Sequence, residues 1–285
     1  MNLAVISDTR RPTGPDGHHG LGRSLYDIAA GLVQRGHAVT LYAGNGSTFE
    51  PGELRIYEGE GAPTFGEQYD AYLDGTHVHA LSQEHPDWPV VNRIGDLECQ
   101  YMPPNVVVAV SSMKRRYPTG RVIATGINVD CIPFYSTPKE YTIFLGEQIP
   151  RKGWPWVLDI AKLTDRPLAV GQNLTGIEKW NALGNASVLL HPSIEDAAPR
   201  LPLEAAACGV PTLCLSVSGT RDHVAEGITG FVCESFEEMA DKVPAAAALD
   251  RTTIRKWVVA CHGAHQMAEA YDDALTSVAM GKRWQ

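Results

Sequence analysis

Short apolar runs alternate with helix-like patterns along the first half of the chain. Residues 3–6 predict a buried strand, apolar positions between 25 and 33 recur with helical spacing, and residues 39–42 predict the next strand. Further strands are predicted at 71–73, 90–91, 106–110 and 121–124. This alternation is typical of an α/β domain in which helices cover both faces of a parallel sheet.

A second pattern of the same kind follows a proline-rich loop at residues 132–138. Its predicted strands lie at 142–145, 168–170, 187–190 and 212–215, and its predicted helices lie at 154–163 and 203–208. Residues 252–279 also show helical spacing. We therefore expect two Rossmann-like, doubly wound α/β domains that face a cleft.

The composition narrows the setting in which such a protein works. A chain of 285 residues that is 44% hydrophobic can form two cores, and its net charge of -9 argues against broad binding to nucleic acid or anionic membranes. The six cysteines lack the spacing of a zinc site or a disulfide framework, which favours a reducing, cytoplasmic setting. We expect no export signal and no transmembrane segment, because neither pattern occurs in the sequence.

Two acidic residues lie where a predicted strand meets the next helix. Asp196 is in the loop after the strand, and Glu204 is one turn into a helix that Pro202 suits at its start and Gly209 ends. In open α/β sheets this edge is the usual ligand site, and a carboxylate there can accept hydrogen bonds from two ribose hydroxyls. Each acid alone also fits a structural role, Asp196 as a cap and Glu204 as a partner of the helix dipole.

Glycine and histidine clusters in the first half suggest further sites. Gly20 and Gly22 belong to a glycine-rich loop predicted before the first helix, where backbone N–H groups favour a phosphate, although tight-turn glycines would give the same pattern. His77 and His79 would share one face of a predicted strand. No carboxylate supports them at metal-ligand spacing, so we expect no metal site.

Together these motifs resemble family 4 of the retaining glycosyltransferases, which have the GT-B fold. The match covers nearly the whole chain. Its segments are Gly20–Gly22, Arg35–Val39, Val110–Ser111, Gly126–Asp130, Leu145–Gly146, Lys152–Gly153 and the run from Pro192 to Pro211, in which Asp196 stands where the family usually has Glu. The resemblance implies an acceptor-side domain at 1–135, a shortened nucleotide-sugar-binding domain at 136–270, and a tail at 271–285 that crosses back to the first domain.

The resemblance also implies roles for individual residues. The donor-binding residues would be Gly20, Gly22, Arg151, Lys152, Asp196, Arg200 and Glu204, of which Asp196, Lys152 and Arg200 would also be catalytic. On the acceptor side we expect His79, Arg93 and Asp96. Glu147 stands where the family has an arginine that neutralises the donor diphosphate, and Gly95 stands where the family usually has a histidine. Arg151 or Arg200 would then supply the missing cation.

The expected activity is transfer of a hexose from a nucleoside diphosphate sugar, with a UDP-sugar favoured, to an acceptor hydroxyl with retention of configuration. The acceptor would be a small molecule or a glycan. No Asp-x-Asp triplet occurs, which favours a metal-independent reaction without a cofactor. One alternative is a degenerate member that binds a sugar nucleotide or glycan without turnover. Another is a compact, virus-type enzyme that acts on modified DNA bases, although the acidic charge counts against it.

Overall fold

The computed structural model describes residues 1–15, 20–59, 61–95, 102–216 and 219–284. The strands are β1 (Asn2–Ile6), β2 (Ala38–Ala43), β3 (Glu53–Ile56), β4 (Ala71–Asp74), β5 (Val90–Ile94), β6 (Val106–Val108), β7 (Arg121–Val122), β8 (Thr142–Leu145), β9 (Leu168–Gly171), β10 (Val188–His191), β11 (Thr212–Leu215) and β12 (Gly230–Cys233). The helices are α1 (Gly20–Gln34), α2 (Ala80–Glu84), α3 (Trp154–Thr164), α4 (Gly176–Gly184), α5 (Leu201–Cys208), α6 (Phe236–Ala247), α7 (Arg251–His262) and α8 (Ala264–Ala279).

The chain forms two compact units. Unit 1 consists of Met1–Gly126 together with Ala264–Gln285, and unit 2 is Ile127–Gly263. The first boundary therefore lies at Gly126 rather than at 135, and the returning segment begins at 264 rather than at 271. The segment predicted as one helix at 252–279 is two helices, because Gly263 leaves the helical conformation between α7 and α8.

Unit 1 is built on a parallel sheet with the strand order β3-β2-β1-β4-β5-β6-β7 in the described part of the chain. Alternate strand residues such as Leu3, Val5 and Leu73 are fully buried against α1 and α8. Ala4, Ile6 and their neighbours on the opposite face pack into a second cluster, rich in tyrosine. The alternation buries both faces of the sheet, as expected for parallel strands.

Helix α8 covers the same sheet face as α1. A Cβ placed on Gly31 of α1 would lie 2.4 Å from the Cβ of Ala268 in α8, so this contact requires glycine. Tyr271 and Leu275 of α8 then reach the core of unit 1. The last helix is therefore an integral part of unit 1.

Unit 2 has a smaller parallel sheet with the order β12-β11-β10-β8-β9 in the described part of the chain. One face packs against α4, α5 and α7, and the other packs against α3 and α6. After β9 the chain enters α4 and then returns as β10, without another strand between them. The predicted α/β class with two parallel sheets is confirmed.

Across the described ranges, none of the helices combines the length and the apolar character needed to cross a bilayer.

Candidate functional site

The strand order of unit 2 defines one crevice at the carboxyl edge of its sheet. The chain leaves β8 toward β9 on one side and later occupies β10 on the other side of β8. Ligands of open α/β sheets bind at such a topological switch point. The two segments that leave this edge, 146–153 after β8 and 192–200 after β10, contain most of the donor residues expected from the sequence.

Lys152 and Asp196 meet at this edge. The Lys152 Nζ donates to Asp196 Oδ2 at 2.6 Å, and His191 Nε2 lies 3.6 Å from the same oxygen, beyond hydrogen-bond distance. Burial alone would raise the pKa of Asp196, but His191 and Lys152 together lower it well below its usual value. Asp196 is therefore a carboxylate at neutral pH.

Close backbone packing holds the two loops together. Gly153 has φ +76, and a Cβ there would lie 2.2 Å from the carbonyl oxygen of Pro192. The Ile194 N–H donates to the Arg151 carbonyl at 3.1 Å. These contacts fix Lys152, which lies between Arg151 and Gly153, relative to the loop that contains Asp196.

Glu204 lies in the first turn of α5 and is almost fully buried. Pro202 lies in that same turn, as predicted. Glu204 Oε2 accepts a hydrogen bond from Lys179 Nζ at 2.5 Å, and Arg200 Nε lies 3.8 Å from Oε1. Two cations thus flank this carboxylate, which fixes its orientation.

Lys179 was not predicted from the sequence. It lies on α4, a helix that was not predicted, and is 25 positions from its partner. The only sequence signal for Lys179 as a site residue is its charge on an otherwise apolar helix face. The structure thus adds one cation to the predicted donor set.

The 3₁₀ helix Gly219–His223 supports the loop that contains Asp196. The Gly219 N–H donates to the Asp196 carbonyl at 2.9 Å, and His223 Nδ1 lies 2.8 Å from the Pro199 carbonyl. Burial and the neighbouring His262 lower the pKa of His223 to about 4. A neutral His223 therefore donates from Nδ1 to the loop at physiological pH.

The predicted cations have different surroundings. Arg200, the residue before α5, is buried beside Glu204. Arg151 is exposed, and its Nη2 lies 3.2 Å from Glu147 Oε2. Glu147 is itself half exposed and forms its ion pair with Arg151. The structure therefore brings Lys152, Asp196, Arg200 and Glu204 to one sheet edge and leaves Arg151 paired at the surface.

The prediction that His77 and His79 share one face of a strand is wrong. β4 ends at Asp74, and His77 lies in the bend that follows. His79 adopts a left-handed backbone with φ 48 and is buried, with Nδ1 3.9 Å from Asp74 Oδ1. The strand ends early because the Asp74 side chain accepts hydrogen bonds from the Thr76 N–H and hydroxyl, which forms a turn.

The other unit 1 residues expected to bind substrate lie near the carboxyl ends of the strands. Gly20 and Gly22 are in the first turn of α1 rather than in a loop, because the apolar face of the helix begins at Leu21. Arg93 is buried near the end of β5. Asp96 lies outside the described residues.

A pocket occurs at the carboxyl ends of β1 and β4, the switch point of the first sheet. Its lining includes Asp8, Thr9, Arg10, Tyr57, Thr76 and His77. Arg10 forks onto Asp8, with Nη2 2.6 Å from Oδ2, and His77 Nε2 lies 3.3 Å from the same oxygen. Asp8 was not predicted as a site residue, although its position just after a buried strand is typical of one.

Metal ligation has no support from the described residues. No group of three or more histidine, cysteine, aspartate or glutamate side chains in those ranges is arranged around a common point.

Comparisons with known proteins give a family match and a fold. Residues 169–277 match the family model described as "Glycosyl transferases group 1". This segment includes Lys179, Asp196, Arg200 and Glu204. No curated protein matches the chain.

Several solved structures resemble the whole chain. AviGT4, a glycosyltransferase involved in avilamycin A biosynthesis, has a TM-score of 0.83 at 16% identity, with 100% of both chains covered. Anabaena Alr3699/HepE in complex with UDP-glucose has a TM-score of 0.70 at 14% identity, covering 97% of this chain and 100% of that one. Sucrose-phosphate synthase from Thermosynechococcus elongatus has a TM-score of 0.75 at 14% identity, covering 99% and 100%. The chain therefore has the fold of GT-B glycosyltransferases, as the sequence motifs indicated.

Proposed function

We propose that this protein is a retaining glycosyltransferase that moves a hexose from a nucleoside diphosphate sugar, with a UDP-sugar favoured, to an acceptor hydroxyl. The observation that carries the proposal is the pair of ionic contacts, Lys152–Asp196 and Lys179–Glu204, at the switch-point edge of unit 2. The family match over 169–277 and the GT-B fold support the same reaction class.

In this proposal Glu204 binds the ribose of the donor. Its Oε2 is held by Lys179, and a carboxylate oxygen has more than one acceptor site, so ribose hydroxyls can donate to it as well. A buried and oriented carboxylate loses little conformational freedom when the ligand binds. Lys179 is then a positioning residue for Glu204.

The donor diphosphate is placed beside Lys152 and Arg200. As the glycosidic bond breaks, negative charge accumulates on the leaving phosphate, and cations already fixed in place stabilise it without reorganisation. Asp196 holds Lys152 in position and has a carboxylate available to the sugar hydroxyls. Arg151 contributes less in this arrangement, because its side chain pairs with Glu147 at the surface.

The acceptor is assigned to unit 1, in the pocket at the ends of β1 and β4. Hydroxyl-rich molecules suit a pocket that combines a carboxylate, an imidazole and threonine hydroxyls, because each can exchange hydrogen bonds with them. A small sugar-like molecule or a glycan end fits this chemistry. The leaving phosphate can take the acceptor proton, so the proposal requires no separate protein base.

Calorimetric titration with UDP, GDP, ADP and TDP tests the donor site. We expect one nucleotide to bind, and Glu204→Gln to weaken that binding about tenfold or more, because a hydrogen bond to a charged group is lost. Glu178→Gln, on the exposed side of the same α4 that contains Lys179, is the matched control and should bind normally. Equal affinities in the two variants would contradict the assignment of Glu204.

Product analysis tests stereochemistry and metal independence. Proton NMR of the first product should show the same anomeric configuration as the donor sugar, and EDTA should leave the rate unchanged. An inverted product, or a rate abolished by EDTA and restored by a divalent ion, would contradict these parts of the proposal.

A sugar-nucleotide-binding protein without turnover is the second candidate. The contact between Arg151 and Glu147 favours it, because it occupies the segment where the related family places an arginine on the diphosphate. Saturable nucleotide-sugar binding with no release of nucleoside diphosphate, in the presence of a range of acceptors, would support this candidate.

A further inference from the structure

His191 is a polar residue at the end of an apolar strand. It is the last residue of β10 and follows the fully buried Val188, Leu189 and Leu190. Only 6% of its own surface is exposed. Because strand residues alternate between faces, His191 shares a face with Leu189, which packs in the core that includes α5. Its imidazole therefore lies at the carboxyl edge of the sheet, next to the loop that contains Asp196.

The backbone on both sides of this contact is fixed. His191 is paired with β11, and Pro192 restricts the residue before it to extended conformations. Only five positions separate His191 from Asp196, so the loop turns back directly after the strand. Ser193, inside this turn, is buried, and its Oγ donates to the Arg151 carbonyl at 3.3 Å. The imidazole and the carboxylate therefore face each other from two anchored segments.

Three polar side chains surround one oxygen of Asp196. Oδ2 accepts a hydrogen bond from Lys152 Nζ at 2.6 Å, and it lies 3.6 Å from His191 Nε2 and 3.5 Å from Ser193 Oγ. A ring nitrogen that faces a carboxylate oxygen carries a proton, because two lone pairs would repel each other. Burial raises the pKa of Asp196, whereas His191 and Lys152 lower it below its usual range. The contact between His191 and the carboxylate is therefore attractive.

The proposed function gives Lys152 two anions to bind. In the free protein its ammonium group binds Asp196. During transfer the same group lies beside the donor diphosphate, where negative charge accumulates as the glycosidic bond breaks. A lysine side chain is long and flexible, whereas the imidazole of His191 is short and stands on a packed strand. His191 can therefore keep Asp196 in place while Lys152 turns toward the phosphate.

We propose that His191 is a positioning residue for Asp196, which it holds toward the donor sugar while Lys152 neutralises the diphosphate. The gap of 3.6 Å exceeds a hydrogen bond by about half an ångström, so a small shift of the carboxylate closes it when Lys152 turns away. With Oδ2 held by His191, Oδ1 accepts the hydrogen bond of a sugar hydroxyl. The inference deepens the proposed function and rests on it for the identity of the ligand.

Two substitutions at position 191 distinguish positioning from packing. His191→Leu fills the buried space with an apolar side chain and removes the N–H group, whereas the amide of His191→Gln can place a donor where Nε2 lies. A residue that only packs is replaced better by leucine, and a positioning residue is replaced better by glutamine. Leu189→Val, two positions earlier on the same face of β10, is the matched control for altered packing.

Calorimetry on the full chain compares UDP, GDP, ADP and TDP with their glucose conjugates, because only a conjugate brings a sugar to Asp196. For the nucleotide that binds, His191→Leu should change the Kd less than about twofold and should weaken binding of the glucose conjugate roughly tenfold, since the carboxylate is no longer held toward the sugar. His191→Gln and Leu189→Val should keep the ratio of the two affinities within about threefold of wild type.

The role of His191 is exerted through one carboxylate, which gives a second test. In an Asp196→Asn protein, His191→Leu should weaken binding of the glucose conjugate no further. The role of His191 is overturned by an unchanged ratio in His191→Leu, by equal losses for nucleotide and conjugate, by better retention with leucine than with glutamine, or by a full additional loss in the Asp196→Asn protein. These outcomes leave the donor site itself intact. Failure of wild type to bind any of the four nucleotides would instead contradict the proposed function, and this inference with it.

Discussion

Charged side chains in the unit 2 site are held by one another before any ligand binds. Lys179 fixes Glu204, and Lys152 fixes Asp196. Pairs of this kind are not strong net stabilisers, because desolvation offsets much of their attraction. Their value is geometric, because each carboxylate and each ammonium group already has a fixed orientation.

A double-mutant cycle measures this dependence for the more buried pair. Lys179→Met leaves Glu204 as a buried carboxylate without its ammonium partner, and we expect a loss of about 3 kcal/mol in the free energy of unfolding. Adding Glu204→Leu should restore only part of that loss, because it removes the buried carboxylate but also removes the contact of the buried Arg200 with Glu204. Urea unfolding of both single variants and the double variant gives the coupling free energy between Lys179 and Glu204. If the two single losses of stability simply added up in the double variant, the result would contradict the pairing.

The depressed pKa of Asp196 predicts how acid affects stability. A carboxylate whose pKa is lower in the folded state stabilises the fold fully above its unfolded pKa of about 3.9. Below about pH 4 the advantage of wild type over Asp196→Asn should decline by about 1.4 kcal/mol per pH unit, as the pH falls toward the folded pKa. Urea unfolding of both proteins between pH 7 and pH 3 tests this, and a constant difference would contradict it.

At the scale of elements, the site depends on two loops that pack backbone against backbone. Gly153, where α3 begins, lies against Pro192 in the loop after β10. A side chain at position 153 would separate these loops. It would also displace Lys152 from Asp196.

Gly153→Ala tests this packing. Its Cβ would overlap the Pro192 carbonyl and its φ is positive, so we expect a loss of stability of about 3 kcal/mol together with weaker donor binding. Gly227→Ala is the matched control, because Gly227 has φ +70 and no atom within 4 Å of its Cβ position. It should cost only about 1 kcal/mol and leave binding unchanged. Similar effects of the two substitutions on donor binding would count against the role of this contact.

Sequence patterns predicted the elements that bury strong apolar runs and missed those that do not. Short apolar runs predicted β1 and β8. Pro202 and Gly209 marked the start and the end of the helix that contains Glu204. β3 was missed because it is only partly buried. Lys179 could not be predicted from spacing, because its contact joins two helices that only the tertiary fold brings together.

At the scale of the whole molecule, the chain returns to unit 1 after completing unit 2. α8 packs on α1 through Gly31 and Ala268, while α7 packs in unit 2 on α5. The sequence predicted helical spacing here but not the break at Gly263, because both helices have similar patterns.

Native-state hydrogen exchange tests this division of the C-terminal region. In low concentrations of urea we expect the amides of α8 to become exchangeable together with those of α1, and the amides of α7 to exchange with those of α5. Each helix shares a core with its partner, so each pair should open as one unit. Exchange of α7 and α8 together, apart from both partners, would contradict this assignment.

The most direct test of the proposed function is release of free nucleoside diphosphate from UDP-, GDP-, ADP- and TDP-sugars, with candidate acceptors supplied. Wild type should release it from one donor class, and Glu204→Gln should lower kcat/KM about a hundredfold while Glu178→Gln does not. Release from no donor, or equal release by wild type and Glu204→Gln, would contradict the assignment of this site as the donor site of a glycosyltransferase.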